Sequence, residues 1–215
     1  MKAISQLHYI TQGNTPQEHL QQVETLCQAG ANWIQLRLKN MDLESMERTA
    51  KEARAITRKY SVTLIINDHV QIAKIIQADG VHLGQQDMSI LQARSILGKN
   101  FILGGTANTW EDIVSLHRQE VDYIGLGPLH YTQTKKKLSP ILGLNGYKDL
   151  LVKMQKHGIK VPVLAIGGIT QKDLVDLKNV GVHGVAISSY LLNMPVADRV
   201  ENIDLIYQIF TESDS

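Results

Sequence analysis

The chain has 215 residues, 43% of them hydrophobic and 20% charged, a composition that excludes a disordered protein and supports a folded core. Its 22 Lys and Arg against 21 Asp and Glu leave a formal net charge of +1, which gives no reason to expect nucleic acid or an anionic membrane surface as partner, since those require a concentrated basic field. The single cysteine, Cys27, excludes an intramolecular disulfide and a cysteine-based zinc set.

Short apolar, β-branched runs alternate along the chain with longer segments of helical periodicity. The first run, 7–11, precedes Thr15-Pro16-x-Glu18, an N-cap with proline at the first helical position and a carboxylate three residues on. A helix over 17–29 follows, in which Cys27 shares an apolar stripe with Val23 and Leu26 and is expected to be buried packing. Gly30 stands where the helix end calls for a left-handed residue, as Gly181 does later.

The second run, 33–38, carries Gln35, Arg37 and Lys39 at alternate positions, which a strand would place on one face. Two cations pointing into a barrel require an anion between them; the alternative is an edge strand with its charges in water. After a helix over 43–60, the third run, 63–67, ends in Asn67-Asp68, and the fourth, 80–83, leads into Gly84-Gln85-Gln86-Asp87. Each aspartate reads as the N-cap of the next helix or, taken together, as two oxygen donors for Mg2+, which is typically held by one or two carboxylates plus substrate phosphates. The fifth run is 101–104 and the sixth 123–125. An irregular stretch, 128–145, comes next with Thr132, Thr134 and Lys135-Lys136-Lys137; loops of this length in compact domains are commonly functional or disordered. Lys135 suits an anion, whereas Lys136 and Lys137 read as solvated. The last two runs, 163–166 and 184–187, end in Gly167-Gly168 and Ser188-Ser189. These supply backbone amides for a phosphate, or, for the glycines, only a tight turn.

Eight strand–helix units fill residues 1–215 with no linker, so one domain closed as a (β/α)8 TIM barrel is expected, an open doubly wound sheet being the fallback. The polar residues then converge at the strand C-termini as two anion sites. Arg37, Lys39 and Lys135, with a metal at Asp68 and Asp87, suit a pyrophosphate; amides near Gly168 and Ser188 suit a monophosphate.

The ordered set Gln35-x-Arg37-x-Lys39, Ile66-Asn67-Asp68, Asp79-Gly80-Val81-His82-Leu83-Gly84-Gln85-x-Asp87, Gly125-x-Gly127-Pro128, Thr132-x-Thr134-Lys135 and Ala165-Ile166-Gly167-Gly168-Ile169 resembles the thiamine-phosphate synthase family over nearly the whole chain. The resemblance implies a barrel that joins a pyrimidine pyrophosphate ester to a thiazole phosphate and releases pyrophosphate, with Mg2+ as cofactor. It further implies that Arg37, Lys39, Asn67 and Lys135 hold the pyrophosphate and Asp68 and Asp87 the Mg2+. Gln35 would touch the pyrimidine, Thr132 and Thr134 would lie along the thiazole phosphate, and Gly168, Ser188 and Ser189 would bind its phosphate. The implied chemistry is dissociative, the thiazole nitrogen capturing a benzyl-like cation. Thr106 stands where the family usually has a serine near the pyrophosphate, and His69 where it often has an arginine.

Three other readings remain at this stage. A thiazole tautomerase usually lacks the Thr-x-Thr-Lys loop present here, and would use His130 as its base. A binding barrel without turnover would be expected to lose the metal ligands or cations. An epimerase-like phosphate barrel leaves Arg37, Lys39 and Asp68 unused. A cytoplasmic address is expected by default, with small-molecule substrates as the partners and a homo-oligomer left open.

Overall fold

The computed structural model describes residues 3–131 and 140–211. Eight parallel strands close in sequence order, each paired with its neighbours and the eighth with the first. They are β1 (Leu7–Ile10), β2 (Trp33–Leu36), β3 (Thr63–Asn67), β4 (Gly80–Leu83), β5 (Ile102–Ala107), β6 (Tyr123–Leu126), β7 (Val163–Ile166) and β8 (Gly184–Ile187). Helices α1 (Pro16–Gln28), α2 (Leu43–Lys59), α3 (Val70–Ile75), α4 (Ile90–Leu97), α5 (Trp110–Arg118), α6 (Gly143–Lys156) and α7 (Leu174–Asn179) connect successive strands, and α8 (Ser189–Leu192) and α9 (Val196–Thr211) follow the last. This is the (β/α)8 barrel expected from the runs. The open sheet is excluded by the pairing of β1 with β8. No helix among the described residues is long and apolar enough to cross a membrane.

The local signals behave as their chemistry dictates. Thr15 and Glu18 form a reciprocal capping box at the start of α1, with Pro16 at its first position, and Gly30 and Gly181 adopt φ of +93° and +94°. Cys27 is buried and its thiol is pushed up to about 12 by burial, consistent with a packing role. Two strand boundaries differ from the sequence reading by more than one residue. The second run stops pairing at Leu36 rather than at residue 38, and the fifth strand runs on to Ala107, bringing Thr106 onto a strand.

Strand alternation sorts side chains into two layers. Ile34, Leu64, Ile66, Val81, Leu103, Ile124, Val163, Val185 and Ile187 face the helices in the main core. The opposite positions form a smaller cluster inside the barrel, where Trp33, Ile65, Ile102, Tyr123, Leu164 and Ala186 meet. His8 joins them with its ring edge-on to Trp33 at 5.5 Å and to Tyr123 at 5.6 Å between centroids. Room for these rings comes from inward glycines: a Cβ on Gly104 would lie 2.1 Å from Tyr123 Cζ.

The N-terminal rim is fastened by a repeated device. Asp79, just before β4, accepts the Leu64 amide at 2.7 Å and both Nη groups of Arg54 from α2 at 2.6 and 3.1 Å. Two strands later Asp122, just before β6, accepts the Leu103 amide at 2.7 Å and Arg94 Nη2 from α4 at 2.7 Å. Each carboxylate thus joins an odd strand, the preceding helix and an even strand.

Candidate active site

The opposite, C-terminal rim gathers the polar residues. Gln35 lies one residue before the end of β2 and points inward; it is buried and donates Nε2–H to Asn67 Oδ1, on the adjacent β3, at 2.7 Å. Arg37 lies beyond the last paired residue of β2, with its amide donating to Thr11 Oγ1 at 3.1 Å. Lys39 is further out and forms an ion pair with Asp68. The anion that two neighbouring cations demand is thus partly supplied by the protein's own carboxylate.

Asp68 has φ +64°, a left-handed conformation that a short polar side chain tolerates better than most, and its amide donates to His82 O at 2.9 Å. That backbone turn aims its carboxyl at Asp87, which reaches over from the β4 loop and accepts the Gly84 amide at 2.7 Å. The two carboxyls lie close enough to perturb each other's ionisation. Burial acts to raise Asp68, but Lys39 and the Asp87 contact hold it below its ordinary value. Asp87 is pushed up, by burial first and by Asp68 beside it. Like charges brought together in this way are what a divalent cation relieves. Among the described residues there is no group of three or more His, Cys, Asp or Glu able to hold a metal unaided. Mg2+ does not need one, since it keeps waters and takes substrate phosphate oxygens.

Thr106 Oγ1 lies 2.9 Å from His82 Nε2, and His82 Nδ1 lies 3.0 Å from the Tyr123 hydroxyl. Sequence reading did not single out this chain, nor a second network beside it. In that network Gln85 Nε2 donates to Asn108 Oδ1 at 3.1 Å and to Asp112 Oδ2 at 2.6 Å, while Asn108 Nδ2 donates to Gly127 O. The signal available was weak, since Asn, Asp and Gln near strand ends are common loop residues. Their effect is to tie the fourth, fifth and sixth loops together.

The sixth and seventh loops run side by side. Leu129 N donates to Ile166 O at 2.9 Å and His130 N to Gly167 O at 3.0 Å. Gly167 and Gly168 have φ of +98° and +68°, a left-handed backbone that favours glycine, and a Cβ on Gly168 would approach His130 Cβ to 2.9 Å and Tyr131 O to 3.1 Å. His130 Nε2 reaches Asp173 Oδ1 at 2.8 Å, which joins the two loops once more. Ser188 follows β8 and Ser189 opens α8. The Ser188 hydroxyl is buried with no hydrogen-bond partner among the described residues; a donor left in that state fits an anion. Thr132, Thr134 and Lys135 lie outside the described residues, as do Lys136 and Lys137.

The thiamine monophosphate synthase family model matches residues 7–191. A Flavobacterium johnsoniae protein named thiamine-phosphate synthase is 48% identical over 187 residues, covering 87% of this chain and 88% of the relative. One from Bacteroides fragilis is 42% identical over 203 residues, covering 94% and 98%. Among solved structures, thiamine phosphate pyrophosphorylase from Pyrococcus furiosus superposes with a TM-score of 0.81 at 27% identity, over 95% of this chain and 96% of that one. A hexulose-6-phosphate synthase from Salmonella typhimurium, at 16% identity and TM-score 0.65 over 96% and 98% of the two chains, shares the fold alone. By the extent of these matches and the order of its motifs, the chain belongs to the thiamine monophosphate synthase family.

Proposed function

We propose that the chain condenses 4-amino-2-methyl-5-(diphosphooxymethyl)pyrimidine with 4-methyl-5-(2-phosphooxyethyl)thiazole to give thiamine phosphate and pyrophosphate. The observation that carries this reading is the meeting of Lys39, Asp68 and Asp87 beside Arg37 at one mouth of the barrel, in a chain whose relatives bear that synthase's name. The reaction breaks the bond from the pyrimidine methylene to the pyrophosphate oxygen and forms one from that carbon to the thiazole nitrogen. No covalent nucleophile is required of the protein, so positioning and stabilisation of departing charge supply the acceleration.

The residues divide the task. Arg37 and Lys39, joined in this role by Lys135, would supply positive charge to the leaving group as negative charge accumulates there, with Asn67 and the Thr106 hydroxyl as neutral donors. Asp68 and Asp87 would hold Mg2+, which when bound adds charge neutralisation at the leaving pyrophosphate. Gln35, oriented by its bond to Asn67, faces the pyrimidine. Gly168, Ser188 and Ser189 bind the thiazole phosphate through amides and hydroxyls, with Thr132 and Thr134 along the same substrate. A tautomerase would need a base at the thiazole. The paired carboxylates would be idle in that chemistry.

Turnover tests the proposal: the purified protein is incubated with both substrates and Mg2+, and thiamine phosphate is detected after oxidation to its fluorescent derivative. Metal-dependent product that falls strongly in Asp68→Asn supports it. Absence of product together with tight binding of the thiazole phosphate would refute it in favour of the tautomerase or binding-protein reading.

A further inference from the structure

We infer that Tyr123 and His82 act as positioning residues that fix the direction of the Thr106 hydroxyl, turning its hydrogen outward to the anion; this rests on the assignment of Thr106 to the pyrophosphate. The direction is set by where each proton can go. Tyr123 is wholly buried inside the barrel, and its hydroxyl has one hydrogen-bond partner among the described residues, His82 Nδ1 at 3.0 Å. Thr106 Oγ1 likewise has one, His82 Nε2 at 2.9 Å.

A neutral imidazole donates from one nitrogen and accepts at the other, so the chain can run in only two directions. If His82 carries its proton on Nδ1, it donates to the Tyr123 oxygen, and the phenolic hydrogen is stranded in the barrel interior without an acceptor among the described residues. Thr106 must then donate to Nε2 and show an anion nothing but lone pairs. If the proton is on Nε2, Tyr123 donates to Nδ1, Nε2–H donates to Thr106 Oγ1, and the phenolic and imidazole hydrogens are both satisfied. A buried donor without a partner costs far more than an unused lone pair, so the second direction prevails. Thr106, only partly buried at the C-terminal rim, is then left with a hydrogen to donate and no acceptor for it among the described residues.

The backbone clears the path for this chain. A Cβ on Gly104 would lie 2.4 Å from the Tyr123 hydroxyl oxygen, and one on Gly125 would lie 3.1 Å from His82 Cε1. Side chains at these two inward positions would displace the phenol or press on the imidazole. The buried end of the chain therefore presets, before substrate arrives, a donor that would otherwise have to be reoriented during the reaction.

Two measurements test this. Long-range 1H–15N NMR on histidine-labelled protein, with His82 assigned by its response to Tyr123→Phe, reports its tautomer directly; Nε2–H is expected, and Nδ1–H would overturn the inference regardless of activity. A double-mutant cycle on turnover then uses Tyr123→Phe, Thr106→Val and both together. Tyr123→Phe should lower kcat about fivefold to tenfold, the size of one oriented hydrogen bond, leave KM for the thiazole phosphate unchanged, and have no further effect once Thr106 is valine. An undiminished effect of Tyr123→Phe in the Thr106→Val background would show a merely structural role and overturn the inference. Full activity in Thr106→Val would overturn both the inference and the assignment of Thr106 to the anion, while the NMR result separates that failure from a wrong proton order.

Discussion

Gly168→Ala offers a direct measure of how tightly the seventh loop is held against the sixth, because the chain contains its own control. Gly168 has φ +68° with His130 Cβ 2.9 Å and Tyr131 O 3.1 Å from the position of an added Cβ, whereas Gly158 has φ +69° and nothing within 4 Å. Both alanines carry the same left-handed cost, about 1 kcal/mol. Only Gly168→Ala must also push a neighbour away, at a further cost of about 1–3 kcal/mol for overpacking. Urea unfolding should therefore show Gly158→Ala destabilised by about 1 kcal/mol and Gly168→Ala by about 2–4 kcal/mol. Displacement of the amides proposed to hold the thiazole phosphate should also raise its KM about tenfold or more in Gly168→Ala alone, given the sensitivity of catalysis to misplacement by about 1 Å. Equal destabilisation of the two variants, with KM unchanged in both, would refute the reasoning on both counts.

Asp87→Asn should shift the Mg2+ dependence of turnover to higher concentration while leaving thiazole-phosphate binding intact, which calorimetry with that substrate alone can check. Asp79→Ala removes the acceptor of the Leu64 amide and of Arg54; it should lower unfolding free energy by about 2–3 kcal/mol with KM for both substrates unchanged. His8 is buried, and burial, with His82 nearby, holds it well below its ordinary value, so the unfolded chain takes up a proton that the folded one refuses. Stability from this group is complete above about pH 6.5 and declines as pH falls below it, by at most about 1.4 kcal/mol per unit. His8→Asn should flatten the pH dependence of the urea midpoint between about pH 5 and 6.5.

The barrel was legible because its strands are short apolar runs separated by capped helices. The Thr15 box and Gly30 mark their element ends by local chemistry alone. Asp68 and Asp87 were legible as a pair because each ends a run on adjacent strands. The pairing limit at Leu36 was not, since extended backbone continues the same alternation whether or not a neighbour bonds to it, and Lys39 consequently meets Asp68 outside the strand. Nor was the order Tyr123, His82, Thr106, because those residues lie on three different strands and only the relative stagger of those strands brings the groups within reach. The partnership of His130 with Asp173 is another long-range product, separated by 43 residues.

The carboxylate fasteners under β4 and β6 have a consequence for what the molecule can tolerate. Asp79 and Asp122 lock the strand starts from below, so the rigidity of the barrel does not depend on good geometry at its mouth. That mouth can keep a left-handed aspartate, two crowded carboxyls and a serine hydroxyl without a partner among the described residues, each a local defect by the standards of a core. A protein built this way is free to exchange the chemistry at one end while the other end preserves its shape, and its least stable contacts are the ones a ligand is best placed to complete.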